Sequence, residues 1–212
     1  MSDIITIPEK IITKIQGTGL PLPRDGQTTD DQLPAKFLNE ISFKPMGGFS
    51  YLNERYVEGD INKPRPDHVM NMDVYAHARI VFAGKEYGTG SSREHAPQGL
   101  LRWNDGIQAI VAKSFADLFV KNCQNIGIVG VTAEPNLVDE LVSVTRNDPS
   151  VNYVIDLEAK TLEYDGKTFG IELPESRRLS FLTGTWYVRG VLVGREEQIK
   201  AKEAELPYLH FK

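Results

Sequence analysis

The sequence predicts an α/β protein of layered sheet and helices with a β-rich C-terminal part, and three observations carry that expectation. Short runs that are apolar at almost every position, Ala78–Ala83, 107–112 and 126–132, suit strands covered on both faces of a parallel sheet. Stretches 97–104, 114–124 and Pro135–Asn147 lie between and after them, with apolar residues three and four apart, the period of a helix. Beyond Pro149 the period drops to two, over 151–157, Thr161–Tyr164 and 168–173, with Asp165-Gly166 as a hairpin turn.

In chain order, residues 4–15 give two short apolar runs split by Pro8-Glu9-Lys10, and β-branched residues favour a strand over 11–16. Gly17-Thr18-Gly19-Leu20-Pro21-Leu22-Pro23 then reads as a stiff, turn-rich exit. Thr28-Thr29-Asp30-Asp31, ahead of Leu33-Pro34-Ala35-Lys36-Phe37-Leu38, suits a helix start. Segment 44–67 is polar, carries Gly47-Gly48 and three prolines, and reads as a loop with at most a short helix at 51–56. A loop of that length inside a compact domain is functional or mobile. The helix at 97–104 keeps Pro97 in its first turn, where a missing N–H costs nothing, and Asp105-Gly106 closes it. Ser114 is the expected cap of the next helix, on which Cys123 reads as a small buried residue. A short helix at 174–182, ended by Thr183-Gly184-Thr185-Trp186, and a charged helix at 195–205 that meets Pro207 complete the chain; Trp186 is expected to pack.

A length of 212 residues fits a single domain over 1–212, and no internal repeat is present. With 24 basic against 29 acidic residues, the formal net charge of -5 argues against a nucleic-acid partner. The single cysteine, Cys123, can neither close an internal disulfide nor supply the several thiolates of an iron–sulfur cluster. Residues 1–14 carry acidic side chains and no long apolar core, so no secretory signal is expected, and no run reaches the roughly 18 apolar residues of a membrane span. A cytoplasmic location is the resulting expectation.

The chemistry concentrates in Tyr87-Gly88-Thr89-Gly90-Ser91-Ser92-Arg93-Glu94-His95-Ala96-Pro97, a strand-to-helix turn. Gly88 and Gly90 let the backbone turn tightly and approach a ligand. A helix N-terminus favours an anion, and the Arg93 fork matches a carboxylate bidentately. The turn therefore suits a small carboxylate held beside two serine hydroxyls, although Ser91-Ser92 would equally serve as a helix cap. It is no dinucleotide fingerprint, since Arg93 stands three places after Gly90; no Lys-Ser or Lys-Thr follows for a P-loop; and Glu94 stands where a hydrolase elbow needs glycine.

Gly90-Ser91-Ser92-Arg93-Glu94-His95-Ala96-Pro97 resembles the signature of the small subunit of 3-isopropylmalate dehydratase, a subunit similar to the swivelling domain of aconitase. The resemblance continues at Ser114-Phe115-Ala116-Asp117-Leu118-Phe119, at Asn122, Cys123 and Gly127, and at Thr28-Thr29-Asp30, where Thr28 replaces a family Asp while Thr29 and Asp30 match. It implies a swivelling β/β/α architecture and an isomerisation of 2-isopropylmalate to 3-isopropylmalate by loss and re-addition of water, in leucine biosynthesis. By carry-over Ser91 is the base, and Ser92, Arg93, Asp30 and Thr29 bind substrate or shape its surroundings. Glu94, His95, Gly88 and Gly90 support the turn, and Phe49, Tyr51, Leu52 and Arg55 face the variable group of the substrate. The resemblance also places the 4Fe-4S cluster on a larger partner subunit, with no metal or cofactor in this chain, so the chain is expected to act only in that complex.

Hydroxide is a poor leaving group, which calls for a Lewis-acid metal, and the proton on carbon needs a base within reach. Serine becomes basic enough only where backbone donors and a cation stabilise its alkoxide. Two alternatives share the sequence: a small subunit of a related hydro-lyase of the homoaconitase or dimethylmaleate hydratase type, for which a cationic Arg55 at the substrate would speak, and a non-catalytic carboxylate-binding module.

Overall fold

A computed structural model of the chain describes residues 8–206; the apolar run at 4–7, the first half of the segment 1–14 weighed as a leader, and Pro207 lie outside that range. Seven strands form one sheet in the order β4-β3-β2-β1-β5-β6-β7, where β1 is Lys14–Leu22, β2 Ala78–Ala83, β3 Ala109–Ala112, β4 Val129–Thr132, β5 Asn152–Asp156, β6 Thr161–Tyr164 and β7 Lys167–Gly170. Strands β1 to β4 are parallel; β5 runs antiparallel beside β1 and continues into the antiparallel β6 and β7. Thr132 and Glu172 exchange two backbone hydrogen bonds of 2.8 Å, so the chain just past β7 returns to β4 and the sheet curls.

The helices are the single turns α1 (Thr29–Gln32), α2 (Met46–Phe49) and α3 (Leu52–Arg55), then α4 (His95–Arg102), α5 (Asp117–Asn125), α6 (Pro135–Asn147), α7 (Glu175–Thr183), α8 (Val188–Val193) and α9 (Glu196–Ala204). Alternation along β2 splits the core into two layers: Ile80 and Phe82 face one, Val81 and Ala83 the other. Leu137, Val138, Leu141 and Val142 of α6 cover the first layer, while Ala96 and Leu100 of α4 with Phe119 and Cys123 of α5 cover the second. Leu141 and Leu100, fully withdrawn from water, each contribute about 2 kcal/mol.

Several elements depart from the sequence expectation. β1 does not stop at Gln16 but runs through the supposed exit to Leu22. Its glycines let neighbours close in: a Cβ on Gly19 would stand 2.5 Å from the Phe82 ring. Pro21 is accommodated because β5 pairs with β1 only as far as Thr18, leaving β2 as the neighbour there. Thr28 caps α1 through a reciprocal box with Asp31, but Pro34 limits that helix to one turn. Ser114 caps nothing; its hydroxyl accepts the N–H of Glu86 at 2.8 Å, and α5 begins three residues later at Asp117. Helix α4 begins at His95, ahead of Pro97, and α8 had no counterpart in the sequence pattern. Trp186 packs over Gly127 and donates its indole N–H to the carbonyl of Lys10 at 2.7 Å.

Candidate active site

Segments leaving the carboxyl ends of β1, β2 and β3 converge on the turn at 87–94, the end of a parallel sheet where ligands bind. The chain after β1 runs alongside it: Gly88 N–H donates to Gln27 O at 2.8 Å and Thr29 N–H to Thr89 O at 2.8 Å. The chain after β3 holds its root, with Tyr87 N–H on Ser114 O and Ala116 N–H on Tyr87 O, both at 3.0 Å. Gly88 has φ 82 and would drive a Cβ to 2.1 Å from the Phe119 ring; Gly90 has φ 104. Both positions need glycine for their conformation, and Gly88 needs it for space as well.

Ser91 and Ser92 are exposed. Their carbonyls are anchored, Ser91 O by Thr29 Oγ1 at 3.1 Å and Arg93 N–H at 2.8 Å, and Ser92 O by Asn122 Nδ2 at 2.9 Å. Neither serine caps α4, whose N-cap is Glu94 without a side-chain cap bond. The Arg93 side chain is only 13% exposed, and its Nη2 pairs with Asp30 Oδ1 at 2.6 Å. Arg93 Nε and Nη1 have no hydrogen-bond partner among the described residues. Buried guanidinium donors left open in this way are rare and favour an anionic acceptor. Thr29 therefore orients the serine backbone, and Asp30 orients the arginine. Thr28 is the α1 cap.

Glu94 turns along α4 to accept Gln98 Nε2 at 2.5 Å, and Gln98 Oε1 in turn accepts from Arg102; the partner of Arg93 is Asp30 instead. His95 meets Phe43 edge to face, ring centres 5.3 Å apart. Of the four residues expected to face the substrate's variable group, Tyr51 and Leu52 are completely or almost completely buried, and Phe49 stacks on Phe37 at 4.0 Å. Arg55 is buried too, and its fork is committed to four acceptors: Asn71 Oδ1 (2.9 Å), Gly47 O (3.4 Å), Ser50 O (3.2 Å) and Tyr56 Oη (3.1 Å). Burial lowers its pKa. A cavity of about 560 Å³, lined by Ser114, Phe115, Asp117, Thr132, Leu173 and Arg177 among others, does not include Ser91 or Ser92.

The profile of the aconitase C-terminal domain matches residues 9–136, from just before β1 to the start of α6. The 3-isopropylmalate dehydratase small subunit of Synechocystis sp. is 33% identical over 200 residues, 94% of this chain and 96% of its own length. The chain belongs to the 3-isopropylmalate dehydratase small-subunit family. The small subunit from Rhodospirillum centenum is 35% identical over 193 residues, 91% of this chain and 93% of its own. The crystal structure of a 3-isopropylmalate dehydratase from Methanocaldococcus jannaschii shares the fold, with a TM-score of 0.60 over 87% of this chain and 99% of that one, at 22% identity.

The chain carries the serine turn on its own scaffold. Cys123 is completely buried, and burial pushes its thiol far above the usual range, away from the thiolate a metal needs. Among the described residues no three His, Cys, Asp or Glu side chains gather as a ligand set. These residues do not fit an iron–sulfur cluster. No helix among the described residues is long and apolar enough to cross a membrane. The supporting roles of Asn122 and Gln27 were not assigned from sequence. Asn122 lies within the family-like segment, which is its one signal in the sequence; Gln27 offers none.

Proposed function

We propose that this chain is the small subunit of a 3-isopropylmalate dehydratase, one swivelling domain that joins a larger partner to isomerise 2-isopropylmalate to 3-isopropylmalate by dehydration and rehydration. The carrying observation is the exposed Ser91 hydroxyl on a turn whose Arg93 has one nitrogen held by Asp30 and two donors open. The names of the relatives, 3-isopropylmalate dehydratase small subunits, support the choice of substrate; the setting proposed with it is leucine biosynthesis in the cytoplasm, and the turn supplies the chemistry.

In this reading Ser91 Oγ takes the proton from the substrate carbon and returns one on rehydration. The nearby guanidinium favours the alkoxide. Ser92 and the open donors of Arg93 hold a substrate carboxylate, which gives the buried cation a second acceptor. Thr29 fixes the Ser91 peptide, and Asp30 keeps the fork from swinging away. The partner is proposed to bring the 4Fe-4S cluster and to close the site over the exposed serines. Among related hydro-lyases, the homoaconitase type would need a cation for an extra carboxylate; Arg55 is engaged in holding the loop and does not support that reading.

The test is reconstitution with the cognate large subunit and a panel of 2-isopropylmalate, homocitrate, citrate and dimethylmaleate. The isolated chain should be inactive and the complex should prefer 2-isopropylmalate. Ser91→Ala should lower kcat by about 10² to 10⁴ while the complex still assembles. Turnover by the isolated chain, or an active Ser91→Ala complex, would overturn the proposal; a complex that binds dicarboxylates without turnover would point to the non-catalytic module.

A further inference from the structure

Three buried side chains tie segment 44–67 to the root of the serine turn. Tyr51 and Tyr87 are both fully withdrawn from solvent, and their hydroxyls lie 2.8 Å apart. The protons on this contact can be placed. Gln27 Nε2 donates to Leu22 O at 2.7 Å and Arg24 O at 3.1 Å, so Gln27 Oε1 is the acceptor that meets Tyr51 Oη at 2.7 Å. Tyr51 has a single proton to give, and with that directed to Gln27 it accepts from Tyr87. The main chain of Gln27 then closes the circuit, because its carbonyl accepts the N–H of Gly88, the residue after Tyr87.

Each member is locked in place from its own side. Tyr51 adopts φ 53, ψ 31, a left-handed conformation that non-glycine residues seldom take, and donates its own N–H to Gln32 O at 2.8 Å. The Tyr87 ring is clamped by the edges of Phe119 and Phe115, with centres 5.4 and 6.4 Å away. Phenylalanine would fill either tyrosine position without placing a hydroxyl in the core. Two hydroxyls and an amide, fully enclosed and satisfied by one another, fix relative position in a way that apolar packing does not.

We propose that this circuit makes Tyr51, Tyr87 and Gln27 positioning residues, through which the packing of segment 44–67 sets where the turn carries Ser91. The proposal rests on the reading of Ser91 as the reacting group and deepens it: Tyr51, Leu52 and Arg55, turned into the core, act on the reaction through the Tyr51 hydroxyl.

The test compares Tyr87→Phe and Tyr51→Phe in the complex reconstituted with the large subunit, with kcat expressed per assembled complex. Tyr87→Phe removes one hydrogen bond and leaves the Tyr51–Gln27 bond intact; Tyr51→Phe opens both. Expected are a kcat lowered about tenfold in Tyr87→Phe and further in Tyr51→Phe, a KM that stays within about threefold, and a shifted kcat/KM ratio between 2-isopropylmalate and homocitrate in Tyr51→Phe. A purely structural role would reduce the yield of folded complex yet leave kcat per complex and that ratio unchanged, and this result overturns the proposal. If Tyr51→Phe does not fold, the kcat of Tyr87→Phe decides by itself. Ser91→Ala runs in parallel: retained turnover there would remove the serine reading, whereas loss of turnover there with unaltered tyrosine variants removes only the circuit.

Discussion

Asp30 Oδ1 lies 2.6 Å from Arg93 Nη2, joining the chain after β1 to the turn after β2. Asp30 is 58% exposed at its side chain and Arg93 13%, so the carboxylate approaches the guanidinium from the solvent side and leaves Nε and Nη1 without a protein partner among the described residues. The ion pair is therefore better placed to orient a functional group than to stabilise the fold.

Asp30→Asn should change stability by less than about 1 kcal/mol, as expected for a partner this exposed. It should lower kcat/KM of the reconstituted complex about tenfold, because the fork is no longer aimed. Thermal melting and steady-state kinetics on one preparation separate the two; a loss of stability with intact kinetics would contradict the orienting role. Arg93→Lys should raise KM more than Asp30→Asn does, since a point charge cannot serve Asp30 and a carboxylate together.

Arg55→Leu should destabilise the protein by about 2–4 kcal/mol, because the acceptors Gly47 O, Ser50 O and Asn71 Oδ1 lose their donor inside the core. Chemical denaturation measures this. A variant of unchanged stability that takes a new substrate would instead make Arg55 a direct specificity residue.

Stability should fall with pH through His68. Burial, followed by the charge of Arg55, lowers its pKa from 6.5 to about 4. Its Nδ1 accepts the N–H of Met70 at 3.2 Å, a bond that the neutral ring makes. The unfolded chain binds the proton first as pH drops, so the contribution is complete above about pH 6.5 and is lost progressively down to about pH 4. Discounted for the solvent screening of a ring this exposed, the loss is on the order of 1–3 kcal/mol. In His68→Gln the stability profile should be flatter across that window, and an unchanged slope would exclude His68 as its source.

Gly88→Ala should cost about 1–3 kcal/mol, since the new methyl would stand 2.1 Å from the Phe119 ring at a positive φ. In a double-mutant cycle with Phe119→Ala the two stability costs should sum to less than additive, because the smaller side chain makes room for the methyl. Strictly additive costs would assign the Gly88 defect to the φ value alone.

What could be read from the sequence was local. β2 and α6 occupy the residues their periodicities marked, and the hairpin turns at Asp165-Gly166, where φ is 47 and 73. Repeats of two and of 3.6 residues are properties of neighbours along the chain, and so is a contiguous motif such as Gly90–Pro97, which is why fold class and serine turn were both legible. The tertiary structure alone decided that β1 continues through its glycines and Pro21, that Asp30 rather than Glu94 takes the arginine, that Arg55 faces inward, and that Tyr51, Tyr87 and Gln27 close a circuit. Those contacts join segments far apart in the chain. Their cost in loop closure is met only when the whole core forms, so no repeat or spacing in the sequence announces them.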